Sequence, residues 1–445
     1  MNDNFNIAKN FFETGEDFFL KKKYDEAEKN FNLSLKFLPD RVSTLINLGL
    51  CKIKLKEYDK CLEIINKIQT LNHNSFDFQN LKSLYFGETL QFKKAIDEIN
   101  KCLNSKNLNN FDKSNLLNYK GIAYSKLSKY EESIKLQKEA VKLNENNFDA
   151  QCNLGFNNLV LENFEIGWKQ YEFRLKKNNL DILKYPEKIS DIKNKKILIR
   201  AEQGIGDVIM FSRFLIDLLF YTTDISVEIP SVLKNFFRND QFNFTTKKTI
   251  KLNNFDFEIF IGSLPYLLNK KNNFKIKSNL LNPEIFNTQF RKDKTTFKIG
   301  LAWSGNKNFK YDELRSLKLK YLSKLFSLKN SKVDFFCLQK DIKDDDREYF
   351  KKTKMKYFGD LNFFDLSKNI INFDLVISSD TSILHLASTL GVKTFGLISH
   401  VPDWRWSLER NDSYWYDNLT LFRKKQNDSW ENMIEGVYYE VKNLI

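Results

Sequence analysis

The stretch Lys196-Ile197-Leu198-Ile199-Arg200-Ala201-Glu202-Gln203-Gly204-Ile205-Gly206-Asp207 is where the texture of the chain changes. Ile197 to Arg200 reads as a short buried strand, the two glycines as a turn, and Asp207 to Phe220 as an amphipathic helix. A strand, a glycine-containing loop and a helix in that order form one unit of a parallel sheet. Before this stretch, up to about Arg174, the chain is helical in period. Everything after it alternates.

Downstream, further strands are expected at Ile225 to Ile229 and Phe257 to Ile261, with helical pieces at Val232 to Phe237 and Leu264 to Leu268. A second series opens at Phe297 to Trp303 and continues near Val333 to Leu338, Leu375 to Ser378 and Thr394 to Leu397. This alternation predicts two parallel-sheet halves with helices on both faces. Ligands in such sheets bind beyond the carboxyl ends of the strands, and two facing halves make a cleft.

Upstream, the chain repeats itself. At a spacing of 34 residues Gly15 aligns with Gly49, Tyr24 with Tyr58 and Phe92, and Ala27 with Cys61 and Ala95. After a few extra residues near Asn107 to Phe111 the frame resumes with Gly121, Tyr124 and Tyr130, then Gly155, Phe164 and Gly167. The pattern predicts five helical pairs, with small residues where helices approach closely and Pro39 stopping one unit. It resembles the tetratricopeptide repeat, whose units stack because each leaves an apolar face that only a neighbour covers. Cys61 and Cys102 sit at its small-residue positions, which predicts a packing role. Asn47 and Asn153 share one repeat position. Their amides can meet a peptide backbone in the groove or bond within their own repeats. The helical period is lost after Arg174, and Asn178 to Asn194, with Pro186, reads as a linker. Trp168 and Tyr171 before it can cap the solenoid end.

Chemistry-bearing residues gather after the strands. Gly204 and Gly206 allow a tight turn, and Asp207 stands at a helix start, as an N-cap or as a base facing the cleft. Position 209 is Ile, so the dinucleotide fingerprint G-x-G-x-x-G fails. Asp380, Thr381 and Ser382 begin another helix, where free amides and hydroxyls suit a phosphate oxygen. His385 follows Thr381 by one turn on the same face. Ser304, Gly305 and Asn306 follow the first strand of the second half, and Arg315 lies close behind in sequence, able to neutralise a diphosphate. The aromatic segment His400 to Trp406, with Trp415 and Tyr416, is either a folded wall or a platform for base and sugar. No G-x-S-x-G elbow supports a hydrolase.

Composition narrows the classes. The 445 residues carry 71 basic and 57 acidic side chains, a net charge of +14, with 42% hydrophobic residues, enough for a sizeable core and against global disorder. The lysines are spread along the chain among Asn, Ile and Phe rather than clustered, which argues against nucleic acid as the partner. Five cysteines without C-x-x-C spacing argue against a disulfide framework or zinc site. The Asp344 to Asp346 run reads as a solvated helix start, and no other carboxylate or histidine set has metal-ligand spacing. No apolar run reaches the length of a membrane span, and Met1 to Asn10 lacks a secretory pattern, so a cytoplasmic location is expected.

From Lys196 onward the chain resembles glycosyltransferase family 9, the heptosyltransferase-like group, in its form fused behind tetratricopeptide repeats. The residues that carry this are Glu202 to Asp207, Trp303 to Asn306, Asp380-Thr381-Ser382 with His385, and Pro402 to Trp406. The resemblance implies an α solenoid followed by an α/β GT-B fold of two Rossmann-like halves. The expected divisions are a solenoid over 1–178, a linker over 179–195, an acceptor-side half over 196–290 and a nucleotide-sugar half over 291–445. It implies inverting, metal-independent transfer from a nucleotide sugar, without a bound cofactor, to an acceptor, most naturally a protein presented by the repeats. Asp207 matches the family's general base. Asp380, Thr381, Ser382 and His385 match its donor-diphosphate helix, with Ser304, Gly305, Asn306 and Arg315 beside them. Glu202, Gln203, Gly204, Gly206, Trp404 and Arg405 would line the acceptor side or the cleft wall. A transferase of lipopolysaccharide-type glycans and a non-catalytic scaffold with a degenerate transferase domain are the alternatives.

Overall fold

The structure, a computed structural model, describes residues 2–106, 108–178, 184–247, 254–272, 274–275, 280–287, 296–307 and 309–445. The chain divides into two compact units, Met1–Leu154 and Gly155–Ile445.

The helices of the repeat region are α1 (Asn2–Leu20), α2 (Tyr24–Phe37), α3 (Val42–Lys54), α4 (Tyr58–Thr70), α5 (Phe76–Glu88), α6 (Phe92–Leu103), α7 (Asn110–Lys126), α8 (Tyr130–Leu143), α9 (Phe148–Val160) and α10 (Phe164–Tyr171). The 34-residue frame is written into their turns. Lys22, Lys56, Leu90, Ser128 and Glu162 all hold left-handed φ values between 59° and 65°. In each case the next residue's N–H bonds back to the carbonyl five residues earlier, as from Lys23 to Phe18 at 2.9 Å and from Asn163 to Asn158 at 2.8 Å. This is the Schellman closure, which satisfies carbonyls that a helix end would otherwise orphan and offsets the left-handed strain. The step from Leu90 to Ser128 exceeds the others by the few extra residues expected after Asn107. The small residues Ala27, Cys61 and Ala95 are fully enclosed. Burial pushes the thiol of Cys61 up to about 12 and that of Cys102 up to about 11, so both are inert packing groups.

The second unit holds two parallel sheets. In the first, β1 (Ile197–Arg200), β2 (Ile225–Glu228), β3 (Asn243–Thr245) and β4 (Phe257–Phe260) lie in the order β3-β2-β1-β4. In the second, β5 (Phe297–Ala302), β6 (Val333–Cys337), β7 (Lys356–Tyr357), β8 (Leu375–Ser379), β9 (Thr394–Ile398) and β10 (Leu419–Arg423) lie in the order β10-β9-β8-β5-β6-β7. Counted from its own first strand, the second sheet follows the doubly wound Rossmann order, and the first sheet follows the first four strands of that order. The two Rossmann-like halves expected from the sequence are present. Each has a point where the strand order reverses: between β1 and β4 in the first, between β5 and β8 in the second. Around the sheets run α11 (Phe173–Lys177), α12 (Ile205–Phe211), α13 (Leu215–Leu218), α14 (Leu264–Leu267), α15 (Asp312–Arg315), α16 (Asp344–Thr353), α17 (Phe363–Ile370), α18 (Ser382–Thr389) and α19 (Trp430–Lys442).

Several local expectations are corrected. The helix expected from Asp207 to Phe220 breaks into α12, a 3-10 turn at Ser212–Phe214, and α13. Ser212 Oγ donates to the Ile209 carbonyl at 2.8 Å and Arg213 Nε to that of Met210 at 2.7 Å, so side chains compete there for helical acceptors. The piece expected at Val232 to Phe237 is only a 3-10 turn, Ser231–Leu233. β3, β7 and β10 carry little periodic signal because each lies at or next to a sheet edge and is short or half exposed. Asp346 is not solvated: it is 3% exposed and accepts from the Trp303 indole at 2.8 Å and from Leu319 N at 2.9 Å. Of the expected linker, residues 179–183 lie outside the described residues, while 184–195 is tied down by Tyr185, whose hydroxyl donates to Glu172 at 2.6 Å, and by buried Ile192.

Candidate functional site

The reversal point of the first half is closed by its own chain. Arg174 of α11 is 2% exposed and satisfies every N–H of its guanidinium. Nε and Nη2 reach both carboxylate oxygens of Glu202 at 3.0 and 2.6 Å, Nη2 also donates to Ser263 at 2.7 Å, and Nη1 donates to Glu172 at 2.6 Å and to the Tyr171 carbonyl at 3.2 Å. Glu202 follows β1 and Ser263 follows β4, so this cluster bridges the crevice. Glu202 also accepts from Gly262 N at 3.0 Å. With its oxygens so engaged, Glu202 is a structural anchor rather than a group free to meet an acceptor. Gln203, in the left-handed region at φ 59°, donates to the Tyr171 hydroxyl at 2.6 Å.

Asp207 stands three residues into the start of α12. One carboxylate oxygen accepts from Gly204 N at 3.0 Å, which caps the helix; the other pairs with Arg405. Gly204, not Asp207, is the N-cap residue; Asp207 is the third residue of the helix and closes a capping box on the Gly204 N–H. Burial raises the pKa of Asp207, against the opposing influence of the Arg405 guanidinium.

In the second half the pairing of Ala302 with Ser378 sets the residues after β5 beside those after β8. Ser304 and Asp380-Thr381-Ser382 thus flank the reversal point. Thr381 occupies the N-cap position of α18 without using its side chain there; its hydroxyl lies 3.0 Å from that of Ser378. Two buried hydroxyls here, Ser304 Oγ and Ser379 Oγ, have no hydrogen-bond partner among the described residues. A buried orphan hydroxyl costs about 1–3 kcal/mol unless something else satisfies it. Burial and the Asp403 carboxylate raise Asp380 to about 6, with Arg315 and Arg405 opposing. Arg315 is held by Asp312 at 3.0 Å and lies over the Phe309 ring at 4.0 Å, so it is not a loose surface arginine. Asp312 in turn accepts from Ser316 at 2.8 Å and Lys343 at 2.7 Å, and Ser316 accepts from Gly305 N at 2.9 Å. A β-carbon at Gly305 would stand 2.5 Å from the Arg315 guanidinium and 2.7 Å from the Asp312 carboxylate, so a larger residue would push these side-chain ends aside. Asn306 is exposed at the rim.

The two halves meet at Gly206. A β-carbon there would come within 2.8 Å of the His385 ring and 3.4 Å of the Ser382 backbone. The loop after β1 and the helix start after β8, which the sequence treats as separate motifs, are therefore in van der Waals contact. His385 is enclosed: its ring stacks on Trp406 at 5.2 Å and its Nδ1 lies 2.9 Å from the Tyr416 hydroxyl. Burial, with the Arg405 and Arg213 charges, drives its pKa well down and leaves it neutral. Its place is to pack Gly206 and Trp406 together.

The aromatic segment is a folded wall. Trp404 is 7% exposed and packs on Trp168, Tyr171 and Phe211 at ring distances of 5.3, 5.8 and 6.2 Å. Trp168 and Tyr171 thus serve the core of the α/β unit. Ser407 holds φ 53° and ψ −167°, a conformation that strains a non-glycine residue, and Arg423 fixes the loop by donating to the carbonyls of Trp406, Ser407 and Arg410. Sequence reading missed Arg174, Arg213 and Arg423. Arg213 alone carried a signal, a charge within the apolar run Met210 to Leu215; Arg174 and Arg423 stand among other charged residues and had none.

Asn47 Nδ2 donates to Glu16 at 3.2 Å and Asn153 Nδ2 to Asn118 at 3.0 Å. Each amide thus already serves a neighbouring repeat. Among the described residues no helix is long and apolar enough to cross a membrane, and no group of three or more His, Cys, Asp or Glu side chains is arranged to hold a metal.

A tetratricopeptide repeat family model matches residues 116–147, the α7 and α8 pair. The repeat half of the resemblance is supported. No curated protein matches the chain. Similar solved structures include one from a functional characterisation of Pseudomonas aeruginosa pilF, 11% identical over 39% of this chain and 78% of that one, with TM-score 0.35. Another is a thermophilic tetratricopeptide repeat protein of Thermus thermophilus, 16% identical over 39% of this chain and 93% of that one, with TM-score 0.34. Such low scores leave the α/β site to be read from its own geometry.

Proposed function

We propose that the chain is an inverting, metal-independent glycosyltransferase of the GT-B kind, moving a sugar from a nucleotide-sugar donor to an acceptor, a protein segment bound by the repeats. The observation that supports this is the contact of Gly206 with Ser382 and His385, which brings the first turn of α12, where Asp207 lies, against the start of α18. The diphosphate lies at the amides of Thr381 and Ser382, where the helix dipole favours negative charge, and receives hydrogen bonds from the orphan hydroxyl of Ser304. Arg315 and Arg405 meet the charge that develops on the leaving group, the part a metal ion plays elsewhere. The acceptor hydroxyl gives its proton to Asp207 as its oxygen attacks the anomeric carbon and the bond to the diphosphate breaks, inverting that carbon. His385 and Trp404 position this arrangement from behind.

A melting screen against uridine, guanosine, adenosine and cytidine nucleotide sugars tests the reading, because a ligand that binds the native state raises its stability by mass action. At least one class should stabilise the protein and release its nucleotide when an acceptor is supplied. A screen in which none shifts the melting point at millimolar concentration sinks the proposal.

A further inference from the structure

We propose that Arg405 is shared between Asp207 and the donor's diphosphate, so that donor binding draws the guanidinium off Asp207 and releases the base only when the leaving group is in place. This rests on the glycosyl-transfer reading above. One guanidinium nitrogen of Arg405 pairs with Asp207 and the other with Asp403. Asp207 thus begins the cycle compensated and hydrogen-bonded, a poor acceptor for a substrate proton. The backbone of the Trp404 to Trp406 turn is pinned by Arg423, while the Arg405 guanidinium lies over the Trp404 ring, 4.3 Å from its centroid. The side chain can therefore swing without the loop moving.

Charge balance supplies the drive. Around the site stand the carboxylates of Asp207, Asp380 and Asp403 and the guanidiniums of Arg405 and Arg315, the latter already shared with Asp312. A diphosphate entering this acidic surround needs a cation, and a planar fork matches it better than a single carboxylate does. Once Arg405 has turned, Asp207 is a buried carboxylate without its counter-ion, which makes it a stronger base. The acceptor O–H proton then passes to Asp207, the new C–O bond forms, and the electron pair of the broken bond leaves with the nucleoside diphosphate facing Arg405. Product release returns Arg405 to Asp207 and expels the proton to solvent. The order of binding follows: donor first, acceptor second.

The test is calorimetry of UDP, GDP, ADP and CDP binding to wild type, Asp207→Asn, Arg405→Gln and the double variant. Removing the competing carboxylate should tighten the nucleoside diphosphate roughly tenfold in Asp207→Asn, about 1.4 kcal/mol. Arg405→Gln should weaken it at least tenfold, and in the double variant the Asp207→Asn gain should vanish. If Arg405→Gln fails to fold, Arg405→Lys replaces it, keeping the charge without the fork, and the gain from Asp207→Asn should shrink in that background. Unchanged affinity in a folded Asp207→Asn overturns the sharing of Arg405 and leaves the transferase reading standing. Absence of binding of every nucleoside diphosphate to wild type overturns both.

Discussion

The two Rossmann-like halves share one strand order and differ at the point where it reverses. In the first, Arg174, Glu202 and Ser263 fill the crevice with a hydrogen-bonded ionic cluster. In the second, the matching place keeps two buried hydroxyls without a partner among the described residues and a helix start half exposed. The same topology thus gives a structural keystone on one side and a receptive surface on the other. Topology locates a crevice, but the side chains that reach it decide whether it binds anything.

The harshest way to break this comparison is to remove the keystone. A chain starting at residue 180 loses Trp168, Tyr171 and Arg174 and is expected not to fold, whereas one starting at Phe148 keeps them and should melt cooperatively. Within the full chain, Arg174→Ala should cost about 3–5 kcal/mol in chemical denaturation, since it strands the buried carboxylate of Glu202. A loss under about 1 kcal/mol would mean that the crevice of the first half is wetter than the contacts imply.

Next in size is Asp207→Asn, expected to lower turnover roughly 10²-fold or more in a nucleotide-release assay, because it removes the proton acceptor while preserving shape. Turnover above about a tenth of wild type would move the base elsewhere. Thr381→Ala with Ser382→Ala addresses the receptive half and should weaken nucleotide-sugar binding about tenfold, with the melting temperature in the absence of ligand nearly unchanged. Equal affinity in calorimetry would detach the donor from the start of α18.

The smallest effect concerns pH. Asp380, raised to about 6 mainly by burial, is largely neutral below that value and anionic above it. A nucleotide sugar's diphosphate keeps its charge across this range, so its affinity should fall a few-fold as pH rises through about 6. Asp380→Asn should flatten that profile. The same shift has a stability sign: the folded state binds the proton more tightly than the unfolded one, so this contribution is present below about pH 4 and is lost as pH rises through about 6.

Much of this was legible in advance. The 34-residue frame, including its interruption near Asn107, corresponds to turn residues in one left-handed conformation, and the strands at 197, 225, 257, 297, 333, 375 and 394 begin where the apolar runs begin. The motifs after β1, β5 and β8 could be picked out because a reversal point needs glycine, hydroxyl and acidic residues in short loops. Roles were harder to read. Glu202 looked like a cleft residue and is an anchor, Asp346 looked solvated and holds an indole, and the aromatic segment around Trp404, open between wall and platform, is a wall.

By itself, the sequence determined the repeat, the alternation of strands and helices, and which loops carry polar chemistry, because each is a local pattern set by backbone period and turn geometry. Only the tertiary structure decided that Arg405 meets Asp207 from 198 residues away and that Arg174 reaches Ser263 across 89. A buried charge takes its role from whichever distant segment arrives to desolvate and neutralise it, and no local period records that encounter.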